Sequence, residues 1–228
     1  MPEMDYARRA AQQEKEKRQK EEKQKRAAKS TGQHTTEPIR DHQMVLQWLR
    51  IAEEHDKKRA KGGVSWYLLL LLGFNTGLRI SDICDLKVSD VRDRERIRII
   101  ANKTGKESNI KLQAPVQKRL NEILRARGGG EFILQSRQKG VKTGTARPIS
   151  RQRAFLIVKK IAKTAGFQGH VGCHTLRKTF AFELYMTTGD LSLVQKVLNH
   201  SSQMETLRYI GLDQMAVDKA IDDMPKKI

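Results

Sequence analysis

The stretch Val64–Phe74, written VSWYLLLLLGF, is the longest apolar run in the chain, and it has to be buried. It is well short of the ~20 apolar residues a membrane-spanning helix needs, so it reads as a core helix. A helix that is apolar on every side can only sit inside a shell of other elements, and the neighbouring segments supply one. Met44, Val45, Trp48, Leu49 and Ala52 recur at helical spacing, which makes Asp41–Lys58 an amphipathic helix ended by Gly62-Gly63. The buried helix is expected over Ser65–Asn75, with Gly77 turning the chain into a further helix over Leu78–Leu86. Arg96–Ala101 and Ser108–Leu112 read as a β-hairpin around Lys103-Thr104-Gly105-Lys106. Pro115 opens a helix that runs to about Ala126 and stops at Gly128-Gly129-Gly130. Phe132–Arg147 is basic and loop-like, and Arg151–Ala165, Leu176–Thr187 and Leu191–Leu198 are helices. Val217, Ile221 and Met224 mark one face of a short terminal helix. The fold class is therefore mainly α with a small antiparallel β-sheet.

The first 36 residues follow different rules from residues 37–228. Arg8–Lys29 is built from Lys, Arg, Glu, Gln and Ala, good helix formers with no large apolar side chain among them. Pairs such as Glu14 with Arg18 and Glu16 with Lys20 support a helix that has no face to bury. It reads as a solvated extension or as an arm that contacts a polyanion. Ser30-Thr31-Gly32 breaks it, and Pro38 is expected in the first turn of the next helix. Over 228 residues, 45 Lys and Arg outweigh 26 Asp and Glu, a net charge of +19 that points to nucleic acid as partner. Cys84 and Cys173 cannot make a disulfide framework and fit a reducing interior. Met1–Arg26 carries no apolar stretch of the kind a secretory signal has. A secreted chain, a membrane-spanning one and a wholly disordered one are all excluded on these grounds, and a cytoplasmic, nucleoid-associated location is expected.

Four short segments carry reactive side chains. They are Thr76-Gly77-Leu78-Arg79, the hairpin tip with Lys103 and Lys106, His174-Thr175-Leu176-Arg177, and Leu198-Asn199-His200-Ser201-Ser202 with Tyr209 nine residues beyond His200. Taken singly, each has a plain explanation. Arg79 can pair with Asp82 at a surface, His174 can be a satisfied core histidine, and Tyr209 a packed aromatic. The spacing of His170 and His174 invites a zinc site, but no glutamate lies between them, and a metal is not expected.

In this order and with these spacings, the four segments resemble the tyrosine recombinases of the phage-integrase family. The family signature is an arginine in T-G-L-R, a hairpin lysine, H-x-L-R, and L-G-H-S-S followed nine residues later by tyrosine. The resemblance spans about Asp41 to the C-terminus and implies that family's catalytic-domain fold. Two departures lie near the signature: Asn199 stands in place of glycine, and Lys178 where a histidine often follows the arginine. Family members carry a helical core-binding domain ahead of the catalytic one, where this chain has its charged segment. It is either a minimal enzyme or a piece of a longer one.

The resemblance implies roles that the chemistry makes intelligible. A free tyrosine is ~10⁻³ phenolate at neutral pH, a deficit of roughly 4 kcal/mol, so Tyr209 as nucleophile needs a base or a cationic pocket. Arg79 and Arg177 would clamp the non-bridging oxygens of a phosphodiester. Lys103 would protonate the departing 5′-oxygen, His174 would accept or position the phenol proton, and His200 would donate to the phosphate. The energy of the cut strand would stay in a 3′-phosphotyrosine, with no cofactor, metal or ATP required. Lys106, Lys111, Arg147, Arg151 and Arg153 are expected to face the DNA backbone, with Arg137, Lys139 and Lys142 adding to the basic density. The implied partners are double-stranded DNA at specific sites, three further copies in a tetramer with exchange of the C-terminal helix, and a directionality factor. Integration or excision of a mobile element is the expected outcome. The rival readings are a type IB topoisomerase and a non-catalytic DNA-binding accessory protein.

Overall fold

The computed structural model describes residues 36–58, 64–136, 146–211 and 221–224. The solvated helix expected over Arg8–Lys29 and the basic loop residues Arg137, Lys139 and Lys142 lie outside them, as does most of the expected terminal helix, Val217 included. Among the described residues the elements are α1 (His42–Lys58), α2 (Trp66–Thr76), α3 (Ile80–Asp85), α4 (Val88–Val91), β1 (Arg96–Ile100), β2 (Glu107–Lys111), α5 (Ala114–Arg127), α6 (Arg151–Thr164), α7 (Cys173–Thr188), α8 (Leu191–Leu198) and α9 (Gln203–Ile210). This is the mainly helical architecture with one small antiparallel sheet that the sequence implies. None of the described helices is long and apolar enough to cross a membrane.

The apolar run becomes α2, in which every residue but Tyr67 and Asn75 is buried. Its start is secured from two directions. Ser65 caps it by accepting from Leu68 N at 3.0 Å. The Asp56 carboxylate, near the end of α1, accepts from Ser65 Oγ at 2.6 Å and from Trp66 N and Tyr67 N at 3.1 Å each. That carboxylate covers N–H groups a helix leaves orphaned and sits at the positive end of its dipole. α2 packs against α1, α3, α5, α6 and α7. The approach to α7 is close enough that a Cβ at Gly73 would lie 2.5 Å from Leu176 Cδ1. Trp48, Phe74 and Phe167 close one side of this core, with ring centroids 6.1 and 5.7 Å from Trp48.

A second, smaller core of Ala181, Phe182, Val194, Leu198 and Ile210 joins α7, α8 and α9. Among the described residues, α7 contributes to both cores, through Leu176 to the first and through Ala181 and Phe182 to the second. The lead-in segment runs extended along it: Glu37 N donates to His170 O at 2.8 Å, Ile39 N to Thr179 Oγ1 at 2.8 Å, and Arg40 Nη2 to Gly211 O at 3.1 Å. Pro38, buried beside Ile39, is thus part of this lead-in stretch, where it gives up no hydrogen bond, and not of a helix's first turn. The first helix begins instead after Asp41, whose carboxylate accepts from Gln43 N at 2.8 Å.

Other expectations shift by a few residues or were missed. The expected Leu78–Leu86 helix starts at Ile80, because Arg79, at φ −70° and ψ 150°, is the extended residue that caps it. α7 starts at Cys173, three residues before the expected Leu176, because its first turn is polar and caps itself through Gly172 N on Thr175 Oγ1 at 3.2 Å. Helices α4 and α9 were not expected at all. α9 has its cause in the sequence, since Ser202 accepts from Glu205 N at 3.1 Å, the S-x-x-E pattern of a helix start.

Candidate active site

Arg79, Lys103, His174 and Arg177 line one open cleft of about 520 Å³, together with Ile80, Ser81, Asn102, Arg151 and Cys173. They arrive on three supports. Gly77, at φ 62°, ends α2 in the left-handed region and hands the chain to Arg79 at the start of α3. A side chain at Gly77 would collide with the Phe180 ring, which comes within 2.5 Å of where its Cβ would be. His174 and Arg177 are three apart on α7 and share a face. Lys103 sits exposed in the turn between β1 and β2.

That turn is held from below. The buried Asp82 carboxylate accepts from Asn102 N at 3.1 Å, and Asp85 accepts from Asn102 Nδ2 at 2.7 Å. Asp82 therefore docks the hairpin onto α3, where the sequence offered it only as a surface partner for Arg79. The pairing spans 20 residues, and no local pattern announces it.

Arg177 is 5% exposed. Its Nη1 donates to Gly77 O and its Nη2 to Leu198 O at 2.7 Å, which ties the Arg79 turn to the end of α8. The guanidinium also hydrogen-bonds the Tyr209 side chain, which joins the nucleophile candidate to the same tie. At the end of α8, Asn199 adopts φ 54°, ψ 38° as the C-cap. This is the left-handed conformation glycine favours and asparagine tolerates, so the departure from the family's glycine is structurally conservative. The Asn199 side chain also reaches Ser108 Oγ on β2 at 3.4 Å.

His200 and Tyr209 join the group through α7. His174 Nδ1 lies 3.1 Å from the Tyr209 hydroxyl. The His200 ring meets the Tyr209 ring edge-on, with centroids 4.9 Å apart. Thr206 Oγ1 stands 3.1 Å from both His200 Nδ1 and Ser202 O, so the direction of the Thr206 hydroxyl sets the imidazole tautomer. Burial pushes the Tyr209 phenol up to about 12, against the pull of Arg177 and Arg79. The His174 imidazole is held below its usual value, first by desolvation and then by the charges of Arg177, Lys178, Arg79 and Lys103. His200 is driven down to about 4 by burial, with Arg177 and Arg79 adding to it and Glu205 opposing. Both rings are therefore neutral at pH 7, and His174 can accept a proton from the phenol.

The depressed His200 value has a consequence for stability. The unfolded ring takes up a proton below its ordinary value of 6.5, whereas the folded one resists until about 4. Stability present above pH 6.5 is then lost as the pH falls toward 4. The expected loss from this half-buried group is roughly 1–3 kcal/mol. Urea midpoints for the wild type and His200→Gln across this range measure it: the variant should fall less steeply.

Of the residues expected to contact a DNA backbone, Arg151 lines the cleft itself. Lys106 shares the hairpin turn with Lys103, whereas Lys111 pairs with Arg96 at the opposite end of the ladder. Arg147 and Arg153 are exposed, before and within the first turn of α6. Among the described residues no group of His, Cys, Asp or Glu is arranged to hold a metal ion.

The chain belongs to the phage integrase family, whose sequence pattern it matches over residues 39–215. It is 32% identical to the probable integrase/recombinase YoeC of Bacillus subtilis strain 168 over 181 residues, covering 79% of this chain and 92% of that one. It is 34% identical to the tyrosine recombinase XerD of Corynebacterium glutamicum over 146 residues, 62% of this chain and 46% of that one. Against Xer relatives such as this one the chain matches about half their length. The fold is that of tyrosine-recombinase catalytic domains. The crystal structure of XerA recombinase superposes with a TM-score of 0.63 at 21% identity, over 84% of this chain and 67% of that one. The XerH site-specific recombinase bound to a palindromic difH substrate, a post-cleavage complex, superposes at 0.62 with 24% identity, over 83% and 54%.

Proposed function

We propose that this chain is the catalytic part of a site-specific DNA recombinase that cuts and rejoins strands through a 3′-phosphotyrosine on Tyr209. The observation that carries the reading is the Tyr209 hydroxyl, 3.1 Å from His174 Nδ1, beside a cleft that gathers Arg79, Lys103, Arg151 and Arg177. Family membership and the DNA-bound XerH neighbour support it.

In this mechanism Arg79 and the guanidinium of Arg177 hold the non-bridging oxygens of the scissile phosphate. The phenol proton passes to His174 Nδ1 as the Tyr209 oxygen bonds to phosphorus. The bond to the 5′-oxygen breaks, and Lys103 supplies the proton that oxygen needs. His200 donates to the phosphate through Nε2–H once the Thr206 hydroxyl turns its hydrogen from Ser202 O to Nδ1. Positive charge comes from lysine and arginine, and the phosphotyrosine conserves the energy of the cut strand. The released 5′-hydroxyl then attacks the partner duplex within a tetramer, with the C-terminal segment exchanged between protomers and a directionality factor biasing integration against excision of a mobile element. Residues 37–228 form the catalytic domain, and residues 1–36 are a basic extension.

Because Lys103 rides on a turn docked by Asp82, Asp82→Ala is expected to cost about 1–3 kcal/mol of stability and to slow cleavage about tenfold. Urea unfolding and single-turnover cleavage would measure the two effects, and an unchanged rate would mean that the turn is positioned by other contacts.

The function itself is tested by covalent trapping. Nicked duplexes tiling the DNA beside the gene are incubated with the protein and resolved on a denaturing gel. An adduct on one native segment, absent with a scrambled duplex and with Tyr209→Phe, is the expected result. Adducts on scrambled DNA as well would indicate a topoisomerase-like enzyme. Tight, salt-sensitive binding with no adduct would indicate a DNA-binding accessory protein.

A further inference from the structure

Lys178 follows Arg177 on α7; its charge helps to hold the His174 pKa down, and no step above runs through it. It is 8% exposed, a depth lysine almost never reaches without a partner. Its Nζ lies over the face of the Tyr209 ring, 5.2 Å from the centroid. An apolar residue of the same length would pack on that ring without the cost of burying an ammonium.

The charged and titratable groups around this pair come from several elements. Glu37 of the lead-in segment acts electrostatically on Lys178. Tyr209 is faced by His174 and Arg177 from α7, by His200 from the connection between α8 and α9, and by Arg79 from the start of α3. Of these, the ammonium of Lys178 is the group the structure records over the ring face.

We propose that Lys178 is a positioning residue for the nucleophile, its ammonium keeping the Tyr209 ring directed at His174 and favouring the negative charge that develops as the phenol proton leaves. A cation over an aromatic face is attracted by the ring's electron density. That density grows as phenol becomes phenolate, so the attraction is larger in the transition state than before it, and only such a difference speeds the reaction. The proposal rests on Tyr209 being the nucleophile. Burial lowers the Lys178 pKa from its ordinary value. The charge is therefore lost, as the pH rises, at a lower pH than in a free lysine.

The test is the pH dependence of adduct formation on the duplex segment that traps the wild type, carrying sulfur in place of the 5′-bridging oxygen. A thiolate leaves without a proton, which removes the contribution of Lys103 to the profile. With rising pH the wild-type rate should be flat and then fall as Lys178 deprotonates, earlier than a free lysine would. Lys178→Met should be about tenfold slower at neutral pH, with no alkaline fall. Lys178→Arg, always charged, should keep the rate within about threefold and also lose the alkaline fall. Thermal unfolding and binding to an uncleavable duplex report on folding separately. Lys178→Met at the wild-type rate would overturn the proposal. So would Lys178→Met and Lys178→Arg equally slow with a profile of wild-type shape, the signature of a packing role. If Lys178→Met does not fold, Lys178→Arg decides: a retained rate without the alkaline fall supports the proposal, and a persisting fall overturns it. No adduct from the wild type, or an adduct from Tyr209→Phe, would overturn the assignment of Tyr209 and this proposal with it. A defect confined to the Lys178 variants leaves that assignment standing.

Discussion

Arg177→Ala is expected to lose both stability and cleavage. The side chain spans two backbone carbonyls, those of Gly77 and Leu198, from a position 5% exposed to solvent. Removing it leaves both acceptors buried without a donor, at about 2–4 kcal/mol in total. It also removes a guanidinium from the cleft, worth about 10²–10³ in rate where a transition-state donor is lost. The two losses are separable. Arg177→Lys keeps a positive charge but cannot bond two carbonyls from a planar fork, so it should recover little of the stability and part of the rate. Urea unfolding and single-turnover adduct formation at a temperature where both variants are folded would measure these effects. A stable Arg177→Ala would contradict the tie between the Arg79 turn and the end of α8.

Tyr209→Phe is expected to do the opposite, abolishing chemistry and sparing the fold. The ring contacts with His200 at 4.9 Å and with Lys178 at 5.2 Å are unchanged by the substitution. Loss of the hydroxyl's bonds to His174 and Arg177 should cost about 1–3 kcal/mol. The same hydroxyl explains why a base is needed. With its pKa pushed up to about 12, a preformed phenolate at pH 7 would cost about 7 kcal/mol, so proton transfer to His174 must accompany attack. Because the His174 value is depressed below 6.5, the acid limb of the cleavage profile should lie below neutral pH, where Nδ1 takes up a proton. His174→Gln should slow cleavage by about 10²–10⁴ and give a rate that rises with pH.

Much of this was readable before any coordinates, and the reasons are local. The run Val64–Phe74 announces a buried helix because nothing in it can face water, and Gly105 announces the hairpin turn. The signature residues were readable as a set because their spacings are short: three residues from His174 to Arg177, nine from His200 to Tyr209. What escaped the sequence is what depends on distant pairing. Asp82 looks like a surface partner for Arg79 until the hairpin folds over it and Asn102 N comes within 3.1 Å. Arg151 looks like one of several basic surface residues until α6 brings it to the wall of the cleft. Lys178 looks like a simple replacement until α9 sets the Tyr209 ring beneath it. Helix α9 is a different case. Its cap, Ser202 with Glu205, was present in the sequence and hidden inside a segment read for its histidine and tyrosine.

The central claim is that Tyr209 becomes joined to the 3′ side of the cut strand. Its most direct test is to trim the trapped adduct with nuclease, digest it with protease and locate the nucleotide by mass spectrometry. The account predicts a single modified peptide with the nucleotide on Tyr209 through a 3′-phosphate, and a free 5′-hydroxyl on the released strand. A nucleotide on Ser201, Ser202 or His200, or a 5′-phosphate linkage on Tyr209, would contradict it.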